Sequence, residues 1–585
     1  MKRLIVSIAF VLAVGSARAG QIDAAKLRGY LDVPFATNIG MDFTSLFKPG
    51  QRIPCNPNEE IVRLKRQLTG KPTDAPIHLR MGDLYRMVSA GQRGDPYAGE
   101  RDREYELAAQ QYEALLKDNP LDTALVVGYV RSSTGSIPSG PIPWIDEIFG
   151  AAPGEDGKSR EIEEMLRKVI EIHPEAWEAR LELADRMEGR AMKGLIAGLM
   201  KEQMQEKETK DADAENAGDK DTGAAKGPSG LNLPEPLSLE AADQLYKEAA
   251  EQRDLAVKFA PRQSGAYVGR FTGRLGGAVH RYALLGMAKR LPKMDEAAVA
   301  RLVRRFINPS DLRKALQCDP ENATVLRALV FFEIVNVLLD ESSRKSFEEL
   351  LEGVLAQDPS KRTWNLISAA NRTRLSRYEG KIRYAIGKRP PDVWSAHEAL
   401  GLLKTFQGEL KEAETAFMVA ARLSARAYLS YLALFIYHGW VPIPGSDRAR
   451  AERVIPIWEM RVRLSGSPGD MLELAGAYIE AERLDKAESL VRQALRMNSE
   501  DAAAQHMLGV VILKRQGNPQ EAIGRLEKAL SSYKEQDDRD RARVNLAIAY
   551  AIAGDVDKAR EELKEIGGGQ RGRAQEVLKE LDVSP

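Results

Sequence analysis

Between Trp394 and Ile566 one skeleton of small and large apolar residues returns along the chain. Leu474 and Ala475 are followed by Tyr478, Ala487 and Ala494. Then come Leu508, Gly509, Ala522, Leu526 and Ala529, and after them Leu546, Ala547, Tyr550, Gly554, Ala559 and Leu563. Small residues at matching places let two antiparallel helices approach closely, while Leu474, Tyr478 and Val491 at helical spacing fill the seam between them. A helix pair of this kind cannot bury its apolar face alone, so copies must stack. The expected fold is therefore all-α. Stacking also explains how 585 residues can stay folded without one large core.

The skeleton resembles the tetratricopeptide repeat, whose period is about 34 residues. The resemblance implies a solenoid, a superhelix of roughly eight to ten antiparallel helix pairs. It also implies a concave groove that binds a protein or peptide partner, often within a larger assembly. Glu473, Gln505 and Asn545 lie just before the seam leucines of the first helices and are the candidate groove residues.

The rest of the chain divides by pattern. Residues 1–19 read as a leader, 20–75 as a non-repeat cap and 76–200 as degenerate repeats with a loop insertion. Residues 201–237 read as a disordered charged linker, 238–393 as further degenerate repeats, 394–566 as the clear array and 567–585 as a capping helix. A helix is expected from Asn58 to Leu68, and repeat positions begin with Met81, Gly82 and Tyr85, answered by Ala108 and Tyr112. In the linker, Lys, Glu, Asp, Ala, Gly and Pro dominate, a composition that buries too little surface to order itself. Pro456 is expected to interrupt a helix in a distorted repeat.

Four stretches carry functional expectations beside plainer ones. A loop rich in Ser, Gly and Pro ends in Trp144, Ile145, Ile148 and Phe149; Trp144 and Phe149 could anchor a partner, or fold back on the chain's own groove. Met187 to Met204 leaves an apolar stripe suited to adaptable binding or to packing on a neighbouring helix. Glycines at 265, 269, 273 and 277 share one helix face, which suits tight packing or self-association into a homo-oligomer. Lys361 to Arg389 is basic, either a patch for an acidic ligand or a solvated face.

Lys2 and Arg3, an apolar run from Leu4 to Val14 and Ala17-Arg18-Ala19 form a secretory signal with cleavage near Ala19. The run is shorter than the ~20 residues that span a bilayer, so no transmembrane segment is expected in the mature chain. Export to the periplasm or the medium follows. Basic and acidic residues number 85 each, and removing the leader leaves a formal charge of −3. That balance argues against a nucleic-acid partner. Cys55 and Cys318 are expected as separate thiols, at least one of them buried.

No catalytic motif stands out. The six histidines have no partner four residues away, His-Glu-x-x-His is absent, and no Gly-x-Ser-x-Gly occurs. No catalytic, cofactor or metal residues are therefore assigned. The expected function is an exported, non-enzymatic scaffold for an envelope or secretion assembly. The alternative is an enzyme or glycan-binding protein with its site in the non-repeat N-terminal part.

Overall fold

The computed structural model describes residues 54–69, 73–89, 98–135, 155–216, 236–287, 301, 303–339, 369–435, 438, 447–515, 518–533, 536–564, 566 and 570–583. The leader, most of the cap, and Trp144 and Phe149 lie outside them. Among the described residues every regular element is a helix. The chain forms two compact units, one with its last helical residues up to Ala416 and the other continuing from Phe417.

In the first unit α1 (Pro57–Leu68) begins behind Asn56, whose side chain accepts from the Glu59 N–H, with Pro57 at the first position. It is followed by α2 (Ala75–Ser89), α3 (Ala98–Asp118), α4 (Thr123–Gly135), α5 (Glu155–Ile172) and α6 (Trp177–Asn216). Next come α7 (Leu239–Phe259), α8 (Ser264–Met287), α9 (Ser310–Cys318) and α10 (Ala323–Leu338). The unit's last helices are α11 (Ala369–Ser376), α12 (Glu379–Lys388), α13 (Val393–Gln407) and the start of α14 (Leu410–Leu423). Its helices pack in sequence as hairpins, α2 on α3 and α6 on α7. Gly82 makes the first of these possible, because a Cβ there would lie 2.7 Å from the Tyr105 ring. One core gathers α8, α9, α10, α12 and α13, with Leu326, Leu329, Ile382 and Leu403 fully buried.

The glycine stripe is a packing device. On α8 a Cβ at Gly265 would meet the Trp177 ring at 2.6 Å, one at Gly269 would meet Leu181 at 2.5 Å, and one at Gly273 would strike the Arg253 guanidinium. The face is thus filled by α6 and α7 of the same chain, which corrects the self-association expectation for it. The first part of the Met stripe resolves the same way: Met187, Met192, Leu195 and Ile196 are buried beneath α7, while the side chains of Leu199, Met200 and Met204 lie outside those described.

One boundary moves. Helix α6 runs through Lys201 to Asn216, so the expected linker start falls inside a helix. The helices flanking residues 217–235 then pack on each other, and Leu237 seats against Gly194 and Gly198 of α6. The charged stretch therefore joins two packed helices rather than two halves of the molecule.

The second unit continues with α15 (Tyr428–Phe435), α16 (Asp447–Ser465), α17 (Pro468–Glu480), α18 (Leu484–Met497) and α19 (Ala502–Lys514). It ends with α20 (Pro519–Ser532), α21 (Gln536–Ile552), α22 (Val556–Lys564) and α23 (Arg571–Val583). The pairs α17–α18, α19–α20 and α21–α22 are three successive hairpins. Ala475, Ala487, Ala522, Ala547 and Ala559 are fully buried at the close contacts. At Gly509 a Cβ would press on Leu526 at 2.8 Å. The turns repeat as well: the Arg483 N–H closes on the Tyr478 carbonyl at 2.8 Å, and the Asp555 N–H closes on that of Tyr550 at 2.9 Å. Both turns need a left-handed residue, supplied by Glu482 (φ 59°) in one and Gly554 (φ 88°) in the other. Pro456 does not break α16, which runs from Asp447 to Ser465 through it.

Cys55 and Cys318 are separate thiols, but neither is fully buried: Cys318 is exposed and Cys55 half-buried. Burial pushes the Cys55 thiol up. Among the described residues no helix is long and apolar enough to cross a membrane.

Candidate functional site

In the second unit the residues with functional potential gather where two repeats meet. A recess of about 340 Å³ is lined by Arg492, Leu495 and Arg496 of α18, Ser499 of the following turn, Gln505 and Leu508 of α19, and Arg525 and Lys528 of α20. Two second helices thus form its walls and the first helix between them its floor. Packing of successive repeats brings the cations together: Arg492 and Arg496 sit one helical turn apart on α18, and Arg525 and Lys528 sit three residues apart on α20.

Gln505, only 2% exposed, braces the floor. Its Nε2 donates to the Ser499 carbonyl at 2.7 Å, and its Oε1 accepts from Arg525 Nη1 at 3.1 Å. Arg525 is thereby held toward the recess. Arg492 bonds Glu488 on its own helix at 3.0 Å, and Lys528 reaches Glu500 at 2.9 Å. The hydrogen bond from Lys528 and one from Ser499 hold the Glu500 carboxyl below its usual range. Arg496 has no polar partner among the described residues. Four cations around an apolar pair, Leu495 and Leu508, suit a carboxylate carried on an apolar or flexible segment.

Of the three groove candidates, Gln505 alone lines this recess. Glu473 stands half-buried on α17. Asn545 is buried in a relay that ties the last helix to the array. Its Nδ2 donates to His506 Nε2 at 2.6 Å, and its Oδ1 accepts from Arg573 Nη2 at 2.7 Å. Since Nε2 accepts, the proton of the neutral ring sits on Nδ1, 3.1 Å from the Tyr533 hydroxyl. Burial first, and the charges of Arg541 and Arg573 next, push the His506 imidazole down to about 3. Placing a charge at Gln505 or Asn545 would therefore break internal bonds, so these positions cannot separate partner binding from folding. The cations of the recess were missed because a lone Arg on a helix face reads as solvated. They do not recur at the repeat period, so no periodic signal marks them.

Two tetratricopeptide-repeat family models match the chain, one over residues 472–523 and the other over 513–581. No curated protein sequence matches it. Among solved structures, yeast Tom70 aligns at 12% identity over 86% of this chain and 99% of its own, with a TM-score of 0.22. The Cut9 and Hcn1 hetero-tetramer of APC/C aligns at 14% identity over 86% and 90%, with a TM-score of 0.25. Human IFIT1, solved as a dimer with m7Gppp-AAAA, aligns at 12% over 89% and 95%, with a TM-score of 0.26. Overlaps this loose carry no argument about geometry. The family models cover the hairpins from α17 onward, where the small residues and the closing turns repeat and the recess lies. Residues 472–581 of the chain are tetratricopeptide repeats, the part that the two family models match.

Proposed function

We propose that this protein is an exported scaffold that holds a protein partner, and that the recess between α18 and α20 takes an acidic segment of that partner. The observation that carries the reading is the convergence of Arg492, Arg496, Arg525 and Lys528 on one recess with a buried, hydrogen-bonded floor. A floor held by internal bonds orders the Arg525 guanidinium before any ligand arrives, which lowers the cost of binding. The leader-like first nineteen residues support export and a place in an envelope or secretion assembly.

The test uses the purified chain and a fluorescent acidic peptide beside its Gln/Asn counterpart, followed by anisotropy. The acidic peptide should bind and the neutral one should not. Arg496→Glu with Lys528→Glu should weaken binding by about tenfold or more, the scale of one lost charge-assisted contact, without lowering the melting temperature. A crosslinking pull-down from the envelope fraction then compares the two chains. A partner captured by the wild type and lost by the double variant identifies the assembly. Equal capture by both, together with unchanged peptide binding, overturns the recess reading.

A further inference from the structure

In the first unit a single buried carboxylate gathers three arginines. Glu333 of α10 is fully buried, its side chain 0% exposed. Its Oε1 accepts from Arg313 Nη2 of α9 at 2.7 Å and from the Tyr378 hydroxyl at 2.7 Å, and its Oε2 accepts from Arg374 Nη2 of α11 at 2.8 Å. Arg377 Nη2 reaches Oε1 at 3.4 Å and the Tyr378 hydroxyl at 3.0 Å, with its guanidinium 4.9 Å from the Tyr378 ring centre. Burial raises the Glu333 carboxyl, but the bonds from Tyr378 and Arg313 and the charges of Arg313 and Arg374 outweigh it and hold the group ionised.

Among the described residues the charges do not cancel: one carboxylate meets three guanidinium groups, which leaves two positive charges in excess. The arginines are inward only at their tips: the side chains of Arg313, Arg374 and Arg377 are 41%, 42% and 51% exposed. Nε and Nη1 of both Arg374 and Arg377 have no partner among the described residues. Elsewhere in the unit the balance runs the other way: Arg253 lies between two carboxylates, Asp185 and Glu188, and Lys404 among three, Glu379, Glu409 and Glu412. A clasp that only joined α9, α10 and α11 would need one arginine for this carboxylate. Three, oriented from below by a buried anion and a tyrosine, leave planar N–H edges facing outward in fixed positions. Such edges match the oxygens of a tetrahedral dianion in charge and in donor geometry.

We propose that Arg313, Arg374 and Arg377, positioned by Glu333 and Tyr378, form a binding site for a phosphate-class dianion. Glu333 does not touch the ligand. It is a positioning residue that keeps three like charges together. The site lies apart from the recess in the second unit and does not depend on the acidic-segment reading.

The experiment is calorimetric titration of the purified chain with inorganic phosphate at about pH 8, where the dianion dominates. Sodium chloride at matched ionic strength is the control. Saturable binding is expected with phosphate and not with chloride. Arg374→Gln with Arg377→Gln, at half-exposed positions, should keep the melting profile and weaken phosphate binding by about tenfold or more. The recess variant Arg496→Glu with Lys528→Glu should bind phosphate unchanged. Flotation with phosphatidylcholine vesicles containing phosphatidic acid separates the sources. Capture lost in the Arg374/Arg377 variant assigns the phosphate to a lipid headgroup, and phosphate binding without capture assigns it to a soluble phosphorylated group. No saturable phosphate signal, or binding left intact in the folded double variant, overturns the proposal and leaves the cluster a structural clasp.

Discussion

His506 shows what a single buried side chain does to this protein's pH response. In the unfolded chain an imidazole titrates near its ordinary value of about 6.5, whereas in the fold burial and the charges of Arg541 and Arg573 push it down to about 3. Between those values the unfolded chain takes up a proton that the folded chain refuses. The contribution is therefore complete above about pH 6.5 and is lost as pH falls toward 3, at up to about 1.4 kcal/mol per pH unit. From pH 7 to pH 5 the wild type should lose about 2 kcal/mol more than His506→Gln, measured by urea denaturation. Taking the difference cancels every group the two chains share. Equal losses would show that the ring is not held neutral by Asn545 and Tyr533. The same residue scale explains why Asn545 was misplaced. Its position before a seam leucine was legible, but its partners His506 and Arg573 come from two other helices and no local pattern points to them.

At the scale of elements, the helix pairs rest on what small residues allow. Ala487 on α18 is fully buried, as is Ala475 on α17 opposite it in the same hairpin. Ala487→Leu forces added methylenes into a filled contact and should destabilise the second unit by about 1–3 kcal/mol. A melting temperature equal to that of the wild type would show that the pairing register is wrong. This register was readable in advance because repeats are local: a skeleton of Leu, Ala, Tyr and Gly within one period specifies its own hairpin. The glycines of α8 were half readable. Their shared face announced a close approach, but Trp177, Leu181 and Arg253, which fill it, arrive from helices far earlier in the chain or beside it. Likewise the charged stretch from Lys201 reads as a linker by composition, yet helix α6 enters it and α7 returns to pack on α6.

For the whole molecule, an even total of 85 basic and 85 acidic residues conceals local imbalance. Lys404 sits among three carboxylates, Glu333 among three arginines, and the recess collects four cations. Exposed charges act over a distance that salt sets, about 10 Å at 0.1 M. Binding of the acidic peptide to the wild type should therefore weaken steadily as sodium chloride is raised, while the Arg496→Glu/Lys528→Glu variant shows a flatter salt dependence. A salt-independent affinity in the wild type would mean that apolar contact with Leu495 and Leu508 carries the binding instead. The net charge alone would never have pointed to this test.

By itself the sequence determined the all-α class, the repeat register from Leu474 onward and the helix from Asn58 to Leu68. Each of these depends on contacts within one or two neighbouring helices, which periodicity and capping chemistry spell out locally. Only the tertiary structure decided which charges meet. Arg313 lies on α9, Arg374 on α11 and Arg377 in the turn just after it, and the basic run from Lys361 announced two of them without announcing Glu333 or its burial. Long flexible side chains find their partners through the fold's three-dimensional closeness, and that closeness leaves no period in the sequence.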